Sequence, residues 1–276
     1  TVDSLQQTDT SLQEIQRIQA SGQHIDLSGS LTFDLGKSLR ADVGASFVLS
    51  GFNQGDLAGF FETQWNWKDS LGREKGLDFK FRADVRLSEP DFLSQNFLSN
   101  AKVWQQDFGK TLRWSLDGMA KAKRWDAGLR VQAHLLTNYV WWNAQATPEQ
   151  NAGSATLLSA EVSKYQRIGP LDLGLFVLGQ FSSTDQLPLP NVVAHADLSY
   201  TNRFFRNNLE LRLGLDVFYI SGFKGMGYDV FTGRYFAQQQ VRTGNYPFVD
   251  FYVAAHIRTA YFFFRLRHVT QGLLGN

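Results

Sequence analysis

The sequence contains no cysteine, which excludes a disulfide framework and any thiol chemistry. It contains no run of about 18 apolar residues, so it offers no helix able to span a bilayer. Its densest greasy stretch is only Ala260-Tyr261-Phe262-Phe263-Phe264. It also lacks a charge bias. With 27 basic and 26 acidic residues the formal net charge is +1, which gives no electrostatic reason to expect nucleic acid. Lys and Arg are spread along the chain, which argues against a basic membrane-surface patch. Methionine occurs twice and never at position 1. With no signal peptide either, the N-terminus reads as mature or truncated.

What is present points one way. The 276 residues are 43% hydrophobic, enough for one large domain. Aromatics reach 14%, and 24 glycines accompany them. An aromatic-rich, Gly-rich, helix-poor chain with period-two patterning has the composition of a transmembrane β-barrel. The clearest instance is Leu77 to Leu87, L-D-F-K-F-R-A-D-V-R-L. Odd positions are all apolar and even positions all charged, and successive strand side chains point to opposite faces. A water-soluble sandwich can contain one such strand. Here the module recurs along almost the whole chain.

Residues 1–23 are polar and Gln-rich, with Leu12, Ile15 and Ile18 at helical spacing. A short helix and a flexible leader fit equally, and no chemistry is assigned to the segment. Residues 24–276 read as one antiparallel barrel. The pattern predicts strands near 25–35, 39–49, 57–67, 77–87, 101–120, 125–135, 155–166, 171–182, 192–201, 208–220, 235–257 and 260–268. Trp65 and Trp67, at one strand end, suit an interfacial aromatic girdle; the alternative is a Trp pair in a soluble core. Short turns are expected at one end and long loops at the other, as in outer-membrane barrels. That parity requires 101–120 to be one strand, against the alternative of two short ones broken at Gly109. It also requires 235–257 to be one long strand bulged near Gly244-Asn245. The count is then twelve. Leu273 to Asn276 does not read as a strand closing on the first, so further strands are expected in the intact protein.

Gly244-Asn245-Tyr246-Pro247-Phe248-Val249-Asp250, continued by Arg258 to Val269 and by Gln271-Gly272, resembles the putative porin family of Bacteroidetes outer membranes. That family shows an N-Y-P-hydrophobic-x-D run, a basic aromatic strand and a closing H-x-N-Q-G. The closing element here is His268-Val269-Thr270-Gln271-Gly272, with Thr where Asn is usual. Phe47 to Asn53, Pro90 to Leu93 through Ser99-Asn100, Asn138-Tyr139, Leu187 to Pro190 and Tyr228 to Phe236 are similar to further pieces of the family. The similarity covers most of residues 39–272, and the order and spacing of the pieces make it specific. It implies an outer-membrane barrel, usually with at least one more C-terminal aromatic strand. The porin label follows mostly from the fold, so the resemblance says less about transport than about location.

The five histidines, His24, His134, His195, His256 and His268, form neither an H-x-x-x-H nor an H-E-x-x-H spacing. Gly222 to Gly227 has glycines but no following helix and reads as a flexible loop rather than a phosphate cradle. No local nucleophile motif marks a Ser/His pair, so no enzyme is expected, and no metal or cofactor. The functional candidates are the inward charges: Arg40, Asp42, Asp78, Lys80, Arg82, Asp84, Arg86, Arg130, Arg212 and Asp216. They are expected to line a lumen, where opposite charges tune which solutes pass, or else to pair and fill a plugged interior. A charge on the lipid face costs roughly 2–4 kcal/mol near the midplane, so confinement to one parity is informative. The leading expectation is passive diffusion of small hydrophilic solutes across a bacterial outer membrane, with outer-membrane lipid as the surroundings. The second is a barrel that serves as an interaction or scaffold component of a larger outer-membrane complex, with other outer-membrane proteins or lipoproteins as partners. The apparent overlength of 235–257 and the long aromatic loops motivate it.

Overall fold

The computed structural model describes residues 23–36, 38–68 and 74–271. The polar segment 1–22, Lys37, most of the charged turn after Lys68, and Gly272 to Asn276 lie outside the described residues. The chain forms one twelve-stranded antiparallel sheet in which sequence neighbours are spatial neighbours throughout. The strands are β1 (Ile25–Leu35), β2 (Leu39–Ser50), β3 (Leu57–Lys68), β4 (Glu74–Ser88), β5 (Thr111–Ala122) and β6 (Ala127–Thr137). They continue with β7 (Ser154–Ile168), β8 (Leu171–Ser182), β9 (Val192–Phe204), β10 (Leu209–Ile220), β11 (Tyr246–Ile257) and β12 (Ala260–Leu266). Among the described residues β1 and β12 are the two edges and do not pair with each other.

Strict alternation makes these strands and sets which face each side chain takes. The register keeps like with like: Phe61 lies opposite Ala83, and Glu62 opposite Arg82. Most strands run 11 to 15 residues, roughly 36–50 Å at 3.3 Å per residue, longer than the 9–11 residues a bilayer requires. Connections at one end are short: 36–38, 69–73, 123–126, 169–170, 205–208 and 258–259. At the other end lie 51–56, 89–110, 138–153, 183–191 and 221–245.

Among the described residues nothing covers the apolar face. Leu27 is 67% exposed, Trp114 51%, Val131 50% and Phe262 61%. Trp65 and Trp67 stack on each other at 5.4 Å between ring centroids and both stay exposed, so they are not a core pair. Among the described residues the only buried apolar side chains are Trp104, Tyr139, Ala146, Ala155, Ala237 and Ala254. A water-soluble domain of this length buries about three quarters of its unfolded surface, most of its large apolar residues included. Among the described residues there is no such core beneath the sheet.

Two expected strands are shorter than the pattern implied. Residues 101–120 do not run straight. Val103–Gln105 turns back to pair with Asn96–Leu98, and β5 starts after Gly109. The reason is packing: Trp104 stacks on Phe97 at 4.4 Å and meets Trp142 edge-on at 5.5 Å. Residues 235–257 likewise break, because Gly244 (φ 90°) and Asn245 (φ 61°) are both left-handed. A side chain at Gly244 would lie 2.6 Å from the Ser221 carbonyl oxygen. Upstream of the break, Arg234–Phe236 pairs with Gly227–Asp229, and Arg242–Thr243 with Phe223–Lys224. The glycine stretch 222–227 is therefore part of two small hairpins and not a featureless loop. The strand count survives because both errors fell inside loops on the same side.

Candidate functional site

The charged face of the sheet carries a network. Arg40 donates to Asp42 at 3.2 Å, and Asp42 also accepts from the Thr32 hydroxyl. Glu62 is held between Lys80 (2.8 Å) and Arg82 (3.1 Å), with Gln64 donating at 2.9 Å. Asp84 lies 3.7 Å from Arg82 and 3.6 Å from Arg113. Asp117 accepts from Arg130 at 2.6 Å and from Gln132 at 2.7 Å. Asp78 meets Lys123 at 2.9 Å. On the later strands Arg212 donates to Ser199 at 2.8 Å and sits 3.9 Å from Asp197. Asp216 lies 3.2 Å from His195 and 3.7 Å from Arg265. Of the ten residues singled out by parity, nine thus have an ionic or hydrogen-bonded neighbour. Arg86 is exposed and has no such neighbour among the described residues.

Their partners were the less legible part. Glu62, Arg113 and Asp117 lie on the same face as the ten. Only the strand register shows that Glu62 stands opposite Arg82 and Asp117 opposite Arg82 on the other side. Asp172 is buried between Arg167 and Tyr165, which donate to it at 2.5 and 2.7 Å. Aromatic rings fill gaps on the same face where the facing strand has glycine. Phe60 lies over Gly44, its register partner, so that a side chain there would come within 2.5 Å of the ring. Tyr252 covers Gly214 in the same way and donates to Asp197 at 3.0 Å.

The long connections interlock at one end. Connection 51–56 meets 89–110 through the Asp56–Lys110 ion pair. Connection 89–110 meets 138–153 through Gln150, whose amide donates to the Asn138 carbonyl at 2.8 Å and also to that of Gly109. Connection 138–153 meets 183–191 where Asn151 donates to Gln186 at 2.6 Å, and 183–191 meets 221–245 through Lys224 and Asp185 at 3.6 Å. The circuit closes back on 89–110 where Lys102 meets Asp229 at 3.1 Å and Arg234 pairs with Asp91. Arg234 also stands over the Trp142 ring at 5.7 Å. The Thr232 hydroxyl and Lys102 together outweigh burial and hold the Asp229 carboxyl below its ordinary value of 3.8. Burial works to lower the Lys110 pKa, but Asp56 and Glu89 outweigh it and hold it above the usual lysine value.

The two sequence pieces that carried the resemblance are one structural unit. Asp250 accepts from the His268 backbone N–H at 2.8 Å and from Arg265 at 2.9 Å. The Tyr246 hydroxyl donates to Thr270 at 3.0 Å, and Thr270 donates to the Pro247 carbonyl at 3.1 Å. The Phe248 and His268 rings meet edge-on at 5.0 Å. The first run therefore fastens the turn formed by the second. A family model described as "Putative porin" matches residues 2–276. The chain belongs to that family. The match of this porin family spans nearly the whole chain, including the unit just described. No curated protein matches the chain.

Proposed function

We propose that this porin-family chain is the wall of an outer-membrane β-barrel and passes small hydrophilic solutes by diffusion. One observation carries the reading. The apolar face is exposed along all twelve strands while the strand charges keep to the other face, Lys164 beside a short turn excepted, and only hydrocarbon on one side and water on the other stabilises both. Two further features support it. The closed circuit of loop contacts joins the connection after β4 to the connection after β10, which favours a sheet curled with its charged face inward. Opposite charges also sit at comparable depths below the loops. Arg82, Arg86 and Arg113 stand on β4 and β5, whereas Asp197, Asp216 and Asp250 lie side by side across β9 to β11. Such an arrangement sets a field across a lumen. In this reading the interlocked loops narrow the mouth, and no bond is made or broken.

Reconstitution of the full-length protein in planar bilayers tests it. Discrete ionic conductance is expected. Silent membranes, with the inserted protein shown folded by heat-modifiable mobility, would refute it. The second reading, a scaffold component, keeps one supporting observation. The tip of connection 221–245 exposes Tyr228 (55%), Val230 (73%), Phe231 (64%) and Tyr235 (63%), an apolar cluster that fits a protein partner. The overlong strand that also motivated it is absent. Mild-detergent purification followed by partner identification separates the two: a stoichiometric second protein favours the scaffold.

A further inference from the structure

The charged face contains a hollow of about 620 Å³ near the loop end, lined by residues of β1 to β5. Three guanidinium groups, Arg82, Arg86 and Arg113, enter it against one carboxylate, Asp84. Arg82 is already committed: it donates to Glu62 at 3.1 Å and its Cζ lies 4.8 Å above the Phe60 ring. The other two are not. Arg113 reaches Asp84 only at 3.6 Å, and its Nε is buried with no hydrogen-bond partner. Arg86 has neither a hydrogen bond nor an ion pair among the described residues. The register places Arg86 and Arg113 directly opposite each other on β4 and β5.

Like charges directly opposite on neighbouring strands destabilise a sheet, and a buried donor left unpaired costs further. An anion between the two guanidinium groups relieves that repulsion, because guanidinium presents paired donors that match a carboxylate or phosphate. We propose that the hollow is a binding site for a small oxyanion, a carboxylate or phosphate carried on a hydroxylated body. Arg86 and Arg113 clamp the anion. Ser28, Ser30 and Ser46, across the hollow, offer hydroxyls to the rest of the solute. The volume exceeds what inorganic phosphate needs and falls in the range of small-ligand pockets. The proposal rests on the diffusion reading above and names the solutes it favours.

The test separates the two. Full-length protein in detergent, its fold checked by heat-modifiable mobility, is dialysed at low ionic strength against inorganic phosphate, glucose 6-phosphate or glucose. Saturable one-to-one binding is expected for the sugar phosphate, weaker binding for phosphate, and none for glucose. The double substitution Arg86→Gln with Arg113→Gln is expected to weaken binding by roughly tenfold or more, since charged hydrogen bonds are lost. Arg86→Lys with Arg113→Lys retains charge without the fork and is expected to fall between. Lys121→Gln, on the same face near the short turns, is expected to bind as the parent does. Absence of saturable binding by the folded parent, or equal binding by the double Gln variant, would overturn the site. Conductance without binding refutes the site alone, and binding without conductance refutes diffusion alone.

Discussion

The sheet and its loop cluster are held together in opposite ways. Among the described residues ten of the twelve strands contribute no buried apolar side chain, and β7 and β11 contribute only Ala155 and Ala254. The loops supply Trp104, Tyr139, Ala146 and Ala237, together with buried Ser94 and Gln95. The sheet is held by its backbone ladder, with one face apolar and exposed and the other charged. The cluster is stabilised as a small soluble protein is, by rings stacked on rings and ion pairs between distant residues. Among the described residues the chain thus has an aromatic core only in its loop cluster.

Substitutions that act on one region and spare the other sharpen this contrast. The largest effect is expected for Trp104→Ala, which removes the centre of the loop core. A buried Trp to Ala change costs about 3–5 kcal/mol. Protease cleavage within 89–110 and 138–153 should appear while heat-modifiable mobility persists. Loss of the whole fold would show that the regions are not separable. Next is Val131→Lys on the apolar face of β6, with an expected loss of about 2–4 kcal/mol in lipid-vesicle unfolding. Gln132→Lys, one residue on and facing the charges, is expected to change stability by less than about 1 kcal/mol. Val131 is half exposed, so in water its replacement would cost almost nothing. Equal effects would break the contrast.

A pH-dependent loosening confined to the loops follows from Asp229. Its carboxyl is depressed in the folded state, so its contribution is present above the ordinary carboxylate range. It is lost as pH falls through the folded-state value. Amide exchange in 227–236 should therefore quicken on acidification below about pH 4, and Asp229→Asn should remove that step while leaving strand amides unchanged. The smallest effect is expected at the β9–β10 turn, where Phe205, Arg206 and Asn207 are all left-handed (φ 52°, 55° and 69°). Relieving one such residue by Arg206→Gly should stabilise the sheet by about 1 kcal/mol in the same unfolding assay.

The strands were legible because, among the described residues, the side chains of the apolar face have no protein partner to identify, and those of the charged face need only a polar one. A two-residue period is all that a two-faced sheet demands, and Leu77 to Leu87 displays it without exception. The ten charges could be placed on one face for the same reason. Which carboxylate each would meet depends on register, as between Arg82 and Glu62, and no local pattern encodes that. The loops were illegible for a stronger reason. Arg234 and Asp91 are 143 residues apart and Lys102 and Asp229 are 127 apart, so their pairing leaves no trace in any window of sequence. Trp104, read as part of a long strand, is a loop-core residue whose partner Phe97 lies across its own turn and whose partner Trp142 lies in the next long connection.

The absence of cysteine allows a direct test of the two-faced wall. Single cysteines placed in turn at positions 77 to 87 can be treated in lipid vesicles with a water-soluble, membrane-impermeant thiol reagent. Labelling should alternate, with the even positions reactive and the odd ones protected. A lipid-phase quencher acting on probes at the same sites should give the inverse pattern. Uniform labelling, or protection of the even positions, would contradict the account at its root.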